Sequence, residues 1–176
     1  MKKIILASAS KRRSEILSSC GIPHEVVVSD VEEIHEEDSS ISEIVQMNAI
    51  MKAEKVAESV GSDKIVIAAD TLVKCGDALI GKPKGEDEAR EMLSMFSGRY
   101  IEVHTGICVI DTATGEKAAG VDMSDIRVAH INSEDIEKYF RLLGPYDKAG
   151  GFSIEGIGSM LFDNIFGSYF NILGIS

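Results

Sequence analysis

The sequence reads as an α/β domain, on three observations. Ile4-Ile5-Leu6 is a short apolar run that breaks into small residues and then a helical pattern carrying Ile16, Leu17 and Cys20. Lys64-Ile65-Val66-Ile67-Ala68-Ala69 is nearly all apolar, as a central strand covered on both faces should be. Segments of helical periodicity with capping signals separate such runs. A length of 176 residues suits one domain over 1–176, with room for two lobes. A hydrophobic fraction of 44% supplies a sizeable core.

The first element continues as Ala7-Ser8-Ala9-Ser10-Lys11-Arg12-Arg13. Strand, small-residue turn and helix N-terminus together make an anion site, because free backbone N–H groups and the helix dipole point into the turn. Arg12 and Arg13 oppose that dipole, which favours acids. A phosphate chain would offset them; solvated arginines on a plain turn are the other reading.

Gly21-Ile22-Pro23 then turns the chain into a strand over His24–Val28. The acid-rich run from Asp30 to Asp38 is a solvated loop by default, and its carboxylates also suit a divalent cation. Ser40-Ile41-Ser42-Glu43 is a capping box opening a helix to about Val60. Lys52 falls on the inward stripe of that helix, among Val45, Ala49 and Val56. It either snorkels to the edge or reaches into a pocket.

The apolar strand over 64–69 ends in Asp70-Thr71, where open α/β sheets place their ligands; a solvent-facing turn residue is the plainer reading of Asp70. Leu72–Lys74 and Ala78–Ile80 flank a Gly76-Asp77 turn as a hairpin. Gly81-Lys82-Pro83 follows, with Lys82 a further candidate phosphate ligand. Glu86 to Phe96 reads as an amphipathic helix stopped at Gly98. Tyr100–Ile110 and Lys117 to about Ile131 read as two long antiparallel strands, and Asn132 or Ser133 caps a helix to about Leu143. His104, alone in its strand, reads as structural. The glycine-rich stretch from Tyr146 to Gly158 implies tight turns or backbone close to a ligand, before strand or core at Met160–Phe162 and Ile165–Phe166.

The net charge of −11 argues against binding nucleic acid or an acidic membrane over a broad face, but leaves room for a small anion held by local cations. No apolar run is long enough to span a bilayer. The N-terminal apolar run is too short for a secretion signal and is cut off by Lys11, Arg12 and Arg13. Cys20, Cys75 and Cys108 form no CxxC pair and suit a reducing, cytoplasmic setting.

Taken together, these motifs resemble the Maf family of nucleotide pyrophosphatases over essentially the whole chain. Leu6 to Arg13 is similar to the family's opening signature, Glu33 to its acid after the second strand, and Lys52 to its second-helix lysine. Ala69-Asp70-Thr71, Gly81-Lys82-Pro83, Ser97-Gly98-Arg99, Thr105-Gly106 and Asp147-Lys148-Ala149-Gly150 complete the series in order.

The resemblance implies an elongated mixed β-sheet flanked by helices with a nucleotide cleft, similar to inosine triphosphate pyrophosphatases. It implies hydrolysis of a nucleoside triphosphate between the α- and β-phosphates, assisted by Mg²⁺ or Mn²⁺. Asp70 would orient or deprotonate water and, with Glu33, hold the metal. Ser8 and Ser10 would cradle phosphate, and Arg13, Lys52 and Lys82 would supply positive charge.

In the subfamily resembling dTTP/UTP pyrophosphatases, three selective positions carry arginine, threonine and glutamine. Here they are Arg12, Thr71 and Glu155. Glutamate only accepts where glutamine also donates, yet it could receive the N3–H of a pyrimidine. The alternatives are a 7-methyl-GTP-preferring enzyme, a non-enzymatic nucleotide-binding regulator of septum formation, and a nucleotidyltransferase. Many relatives carry a further helix after the region of Leu173–Ser176, and an apolar face left without it could be covered in a homodimer.

Overall fold

The structure, a computed structural model, describes residues 2–34, 39–143 and 155–176. His35, the acids at 36–38 and the Asp147–Gly150 motif lie outside the described residues. In chain order the elements are β1 (Lys3–Leu6), α1 (Lys11–Ser19), β2 (His24–Val26), α2 (Ile41–Ser59), β3 (Lys64–Cys75), β4 (Ala78–Ile80), α3 (Glu86–Phe96), β5 (Tyr100–Asp111), β6 (Lys117–Val128), α4 (Ser133–Leu143), a 3₁₀ helix (Gly156–Leu161), β7 (Phe162–Phe166) and α5 (Tyr169–Leu173). The described strands form a seven-stranded mixed sheet in the order β2-β1-β3-β5-β6-β7, with β4 also on β3. No described helix is long and apolar enough to cross a membrane.

The chain forms two compact units. The first comprises Met1–Thr71, His104–Asp122 and Leu173–Ser176. Its strands β2, β1 and β3 are parallel, with Ile4 opposite both His24 and Ile65. Side chains alternate across a strand, so each face collects every second residue. Ile5 and Ala7, Val66 and Ala68, Cys108 and Ile110 make one core with Ala49, Ala53 and Val56 of α2. Leu6 and Ile107 belong to a second core, with Ile16 and Leu17 of α1 and with Ile175. Thus α2 covers one face and α1 the other. The path from β1 through α1 to β2 and back through α2 to β3 makes β1/β3 a topological switch point, the usual place for a ligand in such sheets.

The buried stripe of α2 carries alanines at 49 and 53, which let its backbone lie close to the sheet. A Cβ on Gly106 of β5 would fall 2.2 Å from the Val45 carbonyl oxygen and 2.7 Å from the Gln46 nitrogen. The helix begins in the expected capping box: Ser40 Oγ accepts from Glu43 N, and Glu43 accepts from Ser40 N at 2.9 Å.

The second unit comprises Leu72–Val103 and Met123–Ile172. Here β4 pairs antiparallel with the end of β3, Val73 opposite Ile80, and β7 pairs antiparallel with β6, Ile126 opposite Ile165. Helices α3 and α4 are joined by Arg90, which donates to Glu137 at 2.7 Å and lies over the Phe140 ring at 4.9 Å. Asn171 of α5 donates to the Val103 carbonyl and to Ser124, both at 2.9 Å. The helix α5 was not anticipated from the sequence.

Three boundaries differ from expectation. β3 does not stop at Ala69 but runs through Asp70 and Thr71 to Cys75. Its partner β1 ends at Leu6, while β4 pairs with it further along, Val73 opposite Ile80. Asp70 is therefore mid-strand, yet just past the last β1–β3 pair, Leu6 with Ile67. β2 ends at Val26, and β6 ends at Val128. Beyond Val128 the chain leaves the ladder, with Ile131 bound at both its N–H and its carbonyl by Ser97 Oγ at 2.9 Å.

Replacing Gly106 by alanine should displace α2 from the sheet and destabilise the protein by about 3 kcal/mol, since no side-chain movement can relieve a clash with backbone. Urea unfolding of Gly106→Ala checks this, and an unchanged midpoint would contradict the packing described.

Candidate functional site

Of the ten candidate site residues, all but Lys82 and Glu155 belong to the first unit. They divide by the faces of the sheet. Asp70 continues the parity of Val66 and Ala68 and faces α2, whereas Thr71 faces α1.

On the α2 face, Lys52 Nζ donates to Asp70 Oδ1 and to Glu33 Oε1, each at 2.6 Å. The Lys52 and Asp70 side chains are 11% and 8% exposed, and that of Glu33 is 43% exposed. Of its two sequence readings, Lys52 therefore takes the inward one. The ion pair lies in a low-dielectric setting, where each charge depends on the other for compensation. The second Asp70 oxygen, Oδ2, accepts from Asn48 Nδ2 at 3.0 Å. Asn48 lies one turn before Lys52 on α2, and the same amide brackets residue 34: Ile34 N donates to Asn48 Oδ1 at 2.8 Å, and Asn48 Nδ2 donates to the Ile34 carbonyl at 3.2 Å.

On the α1 face the centre is Arg13. Its Nε donates to the Gly174 carbonyl at 2.6 Å, Nη1 to Ser8 Oγ at 3.0 Å and to the Ala69 carbonyl at 2.8 Å, and Nη2 to Thr71 Oγ1 at 3.0 Å. Four of its five N–H groups thus go to protein acceptors. Burial lowers the Arg13 pKa from its ordinary value, against the upward pull of the Asp70 and Glu33 charges. Arg13 therefore feels the carboxylates of the α2 face. Thr71 Oγ1 is also 2.9 Å from Thr105 Oγ1. Ser8 Oγ accepts from Ser10 N at 3.2 Å, and Ser10 caps α1, whose first turn holds Lys11, Arg12 and Arg13 and no acid. Arg12 is half-buried. His104 is buried against α2, with Nδ1 3.0 Å from Ser42 Oγ.

Lys82 and Glu155 belong to the second unit, and both are exposed. Lys82 lies between β4 and α3, and Glu155 immediately precedes the 3₁₀ helix. The sequence reading missed two participants. Asn48 was detectable as a polar residue on an apolar stripe, four positions before Lys52. Gly174 had no local signal, because its part is a main-chain carbonyl 161 residues from Arg13.

Among the described residues no cluster of three or more His, Cys, Asp and Glu side chains forms. A divalent cation at this site would thus draw on Glu33 and Asp70. Their oxygens are hard donors of the type Mg²⁺ and Mn²⁺ prefer, and they already converge on one cationic centre, Lys52 Nζ. The donor set fits an ion that completes its shell with water and phosphate oxygens.

The family model described as Maf-like protein matches residues 3–176. The chain is 42% identical over 175 residues to a dTTP/UTP pyrophosphatase of Bacillus cereus, covering 99% of this chain and 90% of that one. It is 41% identical to proteins of the same name from Desulforamulus reducens and Alkaliphilus oremlandii, each over 99% of this chain and 91% of theirs. Among solved structures it is similar to the Staphylococcus aureus Ham1 protein, with TM-score 0.48 and 17% identity over 73% of this chain and 72% of that one. It is also similar to a nucleoside-triphosphatase, a dITP/XTP pyrophosphatase, of Mycobacterium abscessus, with TM-score 0.43 and 19% identity over 73% and 75%.

Lysine at position 13 keeps the charge but cannot reach four acceptors in four directions. Arg13→Lys should therefore cost about 3 kcal/mol of stability and speed amide exchange at residues 173–176. Denaturation with hydrogen exchange reads both, and a variant unchanged in both would remove Arg13 from its structural part.

Proposed function

This chain belongs to the family of Maf-like proteins, and from that premise we propose that it hydrolyses the α–β phosphoanhydride of dTTP and UTP, releasing the nucleoside monophosphate and pyrophosphate. The observation that carries the reading is the Lys52 ammonium held between Asp70 and Glu33 beside the α1 turn. That arrangement puts a water-orienting carboxylate and positive charge together at the switch point of the sheet.

In the proposed reaction a water oxygen bonds to the α-phosphorus, and the bridging oxygen leaves with the β-phosphorus as pyrophosphate. Asp70, buried and already accepting two N–H groups, orients the water and takes its proton. Lys52 offsets charge that builds on the phosphate oxygens. Ser8, Ser10 and the N-terminus of α1 bind the phosphate chain through hydroxyl and backbone N–H groups. Arg13 sets that turn against Ala69 and Thr71, and its charge adds to the local field. Glu33 and Asp70 would hold a Mg²⁺ or Mn²⁺ ion, whose chemistry is to neutralise phosphate charge and lower the pKa of water. In the second unit, Lys82 is assigned to phosphate and Glu155 to the base, with Arg12 and Thr71 completing base selection. A cytoplasmic location and a homodimer complete the proposal.

The test is a product assay on dTTP, UTP, CTP, 7-methyl-GTP and ITP with Mg²⁺ or Mn²⁺. Pyrophosphate should appear with dTMP or UMP, and orthophosphate as first product would sink the reading. Preference for 7-methyl-GTP would transfer base selection to Glu155. Asp70→Asn should lose about a thousandfold in kcat; full activity in that variant would remove Asp70 from the chemistry. Chelation by EDTA should abolish turnover and excess Mg²⁺ should restore it, whereas turnover unaffected by chelation would refute the metal requirement.

A further inference from the structure

We infer that Asn48 is a positioning residue that sets both carboxylates of the site through a single amide; the catalytic part of this inference rests on the function proposed above. Asn48 is 1% exposed, so its side chain has no exchange of partners with solvent. A buried amide left unsatisfied is costly, and this one is engaged at both ends. Oδ1 takes the Ile34 N–H, and Nδ2 gives to the Ile34 carbonyl and to Asp70 Oδ2.

The pairing with Ile34 resembles one rung of a β-ladder, made by a side chain. It pins the backbone that carries Glu33, the adjacent residue, to the middle of α2. The bond to Asp70 fixes the rotation of that carboxylate, because Lys52 holds the other oxygen from one turn further along the same helix. Three elements, the 30–34 segment, α2 and β3, therefore share one register set by positions 48 and 52. A leucine at 48 would suit the apolar stripe formed by Val45, Ala49 and Val56 equally well. An amide at that place is explained by the two groups it holds.

Asn48→Asp tests this with an isosteric change. It keeps the acceptor for the Ile34 N–H, removes both donors and sets a carboxylate against Asp70. The contact itself is read without any activity, by thermal unfolding of Asn48→Asp, Asp70→Asn and the double variant. The swapped pair can rebuild the hydrogen bond in reverse, so the Tm of the double variant should lie several degrees, roughly 3–6 °C, above the sum of the single shifts. Additive shifts would show that the two side chains do not interact and would overturn the inference.

The positioning role is read from kinetics of Asn48→Leu, which cannot suffer from charge repulsion. Its kcat should fall about tenfold to a hundredfold while KM changes less than about threefold, as for partners that orient ligating groups. A Tm loss with kcat unchanged would make Asn48 merely structural and overturn the role. Wild-type protein that releases no pyrophosphate from any triphosphate would defeat the proposed function alone, because the unfolding cycle still reports on the contact.

Discussion

The structure around the site depends on one buried cation, the Lys52 ammonium shared by Asp70 and Glu33. Burying the Lys52 or the Asp70 charge alone would cost several kcal/mol, so these two are stable there only together, and the half-exposed Glu33 gives the ammonium a second acceptor. Their meeting requires α2 to lie close to the sheet. Ala49 and Ala53 bring the helix in, and Gly106 lets the backbone at Val45 approach the strand without a side chain between them. The packing of small residues and the placement of charge are thus one problem. A larger residue in that seam would pull Lys52 and Asn48 away from Asp70 before it affected anything else.

The alternation of a β-strand explains how one short sequence serves two sets of partners. Along Ala69-Asp70-Thr71 the chain gives a carbonyl to Arg13, a carboxylate to α2 and a hydroxyl to α1. Because β1 has ended by then, the edge of β3 there carries no β1 partner. Helices on opposite faces can therefore both contribute to one place. The Asp70 and Glu33 charges pull the Arg13 pKa upward from the other side of the strand, against the larger downward effect of burial.

Much of this was legible in the sequence, for reasons that differ by element. The helix over 86–96 carried a strong amphipathic period and an end signal at Gly98, and the structure has it at those bounds. The cap at Ser40 and the turn at Gly76-Asp77 were likewise local chemistry. Lys52 could be placed inward because its spacing from Val45 and Ala49 is a property of one helix. The end of β3 was not legible, because pairing with β4 and β5, rather than local pattern, decides where that strand stops. Asn48 was not legible as a site residue, because the apolar period of α2 runs through Val45, Ala49 and Val56 and gives an amide no signal of its partners on β3 and at Ile34. The family resemblance supplied the activity, which no spacing alone would have shown.

The tie between Arg13 and the Gly174 carbonyl has a bearing on how the protein is made. It closes a loop of nearly the whole chain, 161 residues from donor to acceptor. During synthesis the turn at Ser8–Ser10 emerges early, but the last of the four acceptors of its arginine emerges only after residue 174. Until then the guanidinium lacks one of its four acceptors, and the first unit also lacks His104–Asp122, which arrive in the second half of the chain. Such distant closure is slow, so this half of the chain cannot complete its packing until residue 174 and the segment His104–Asp122 are both present.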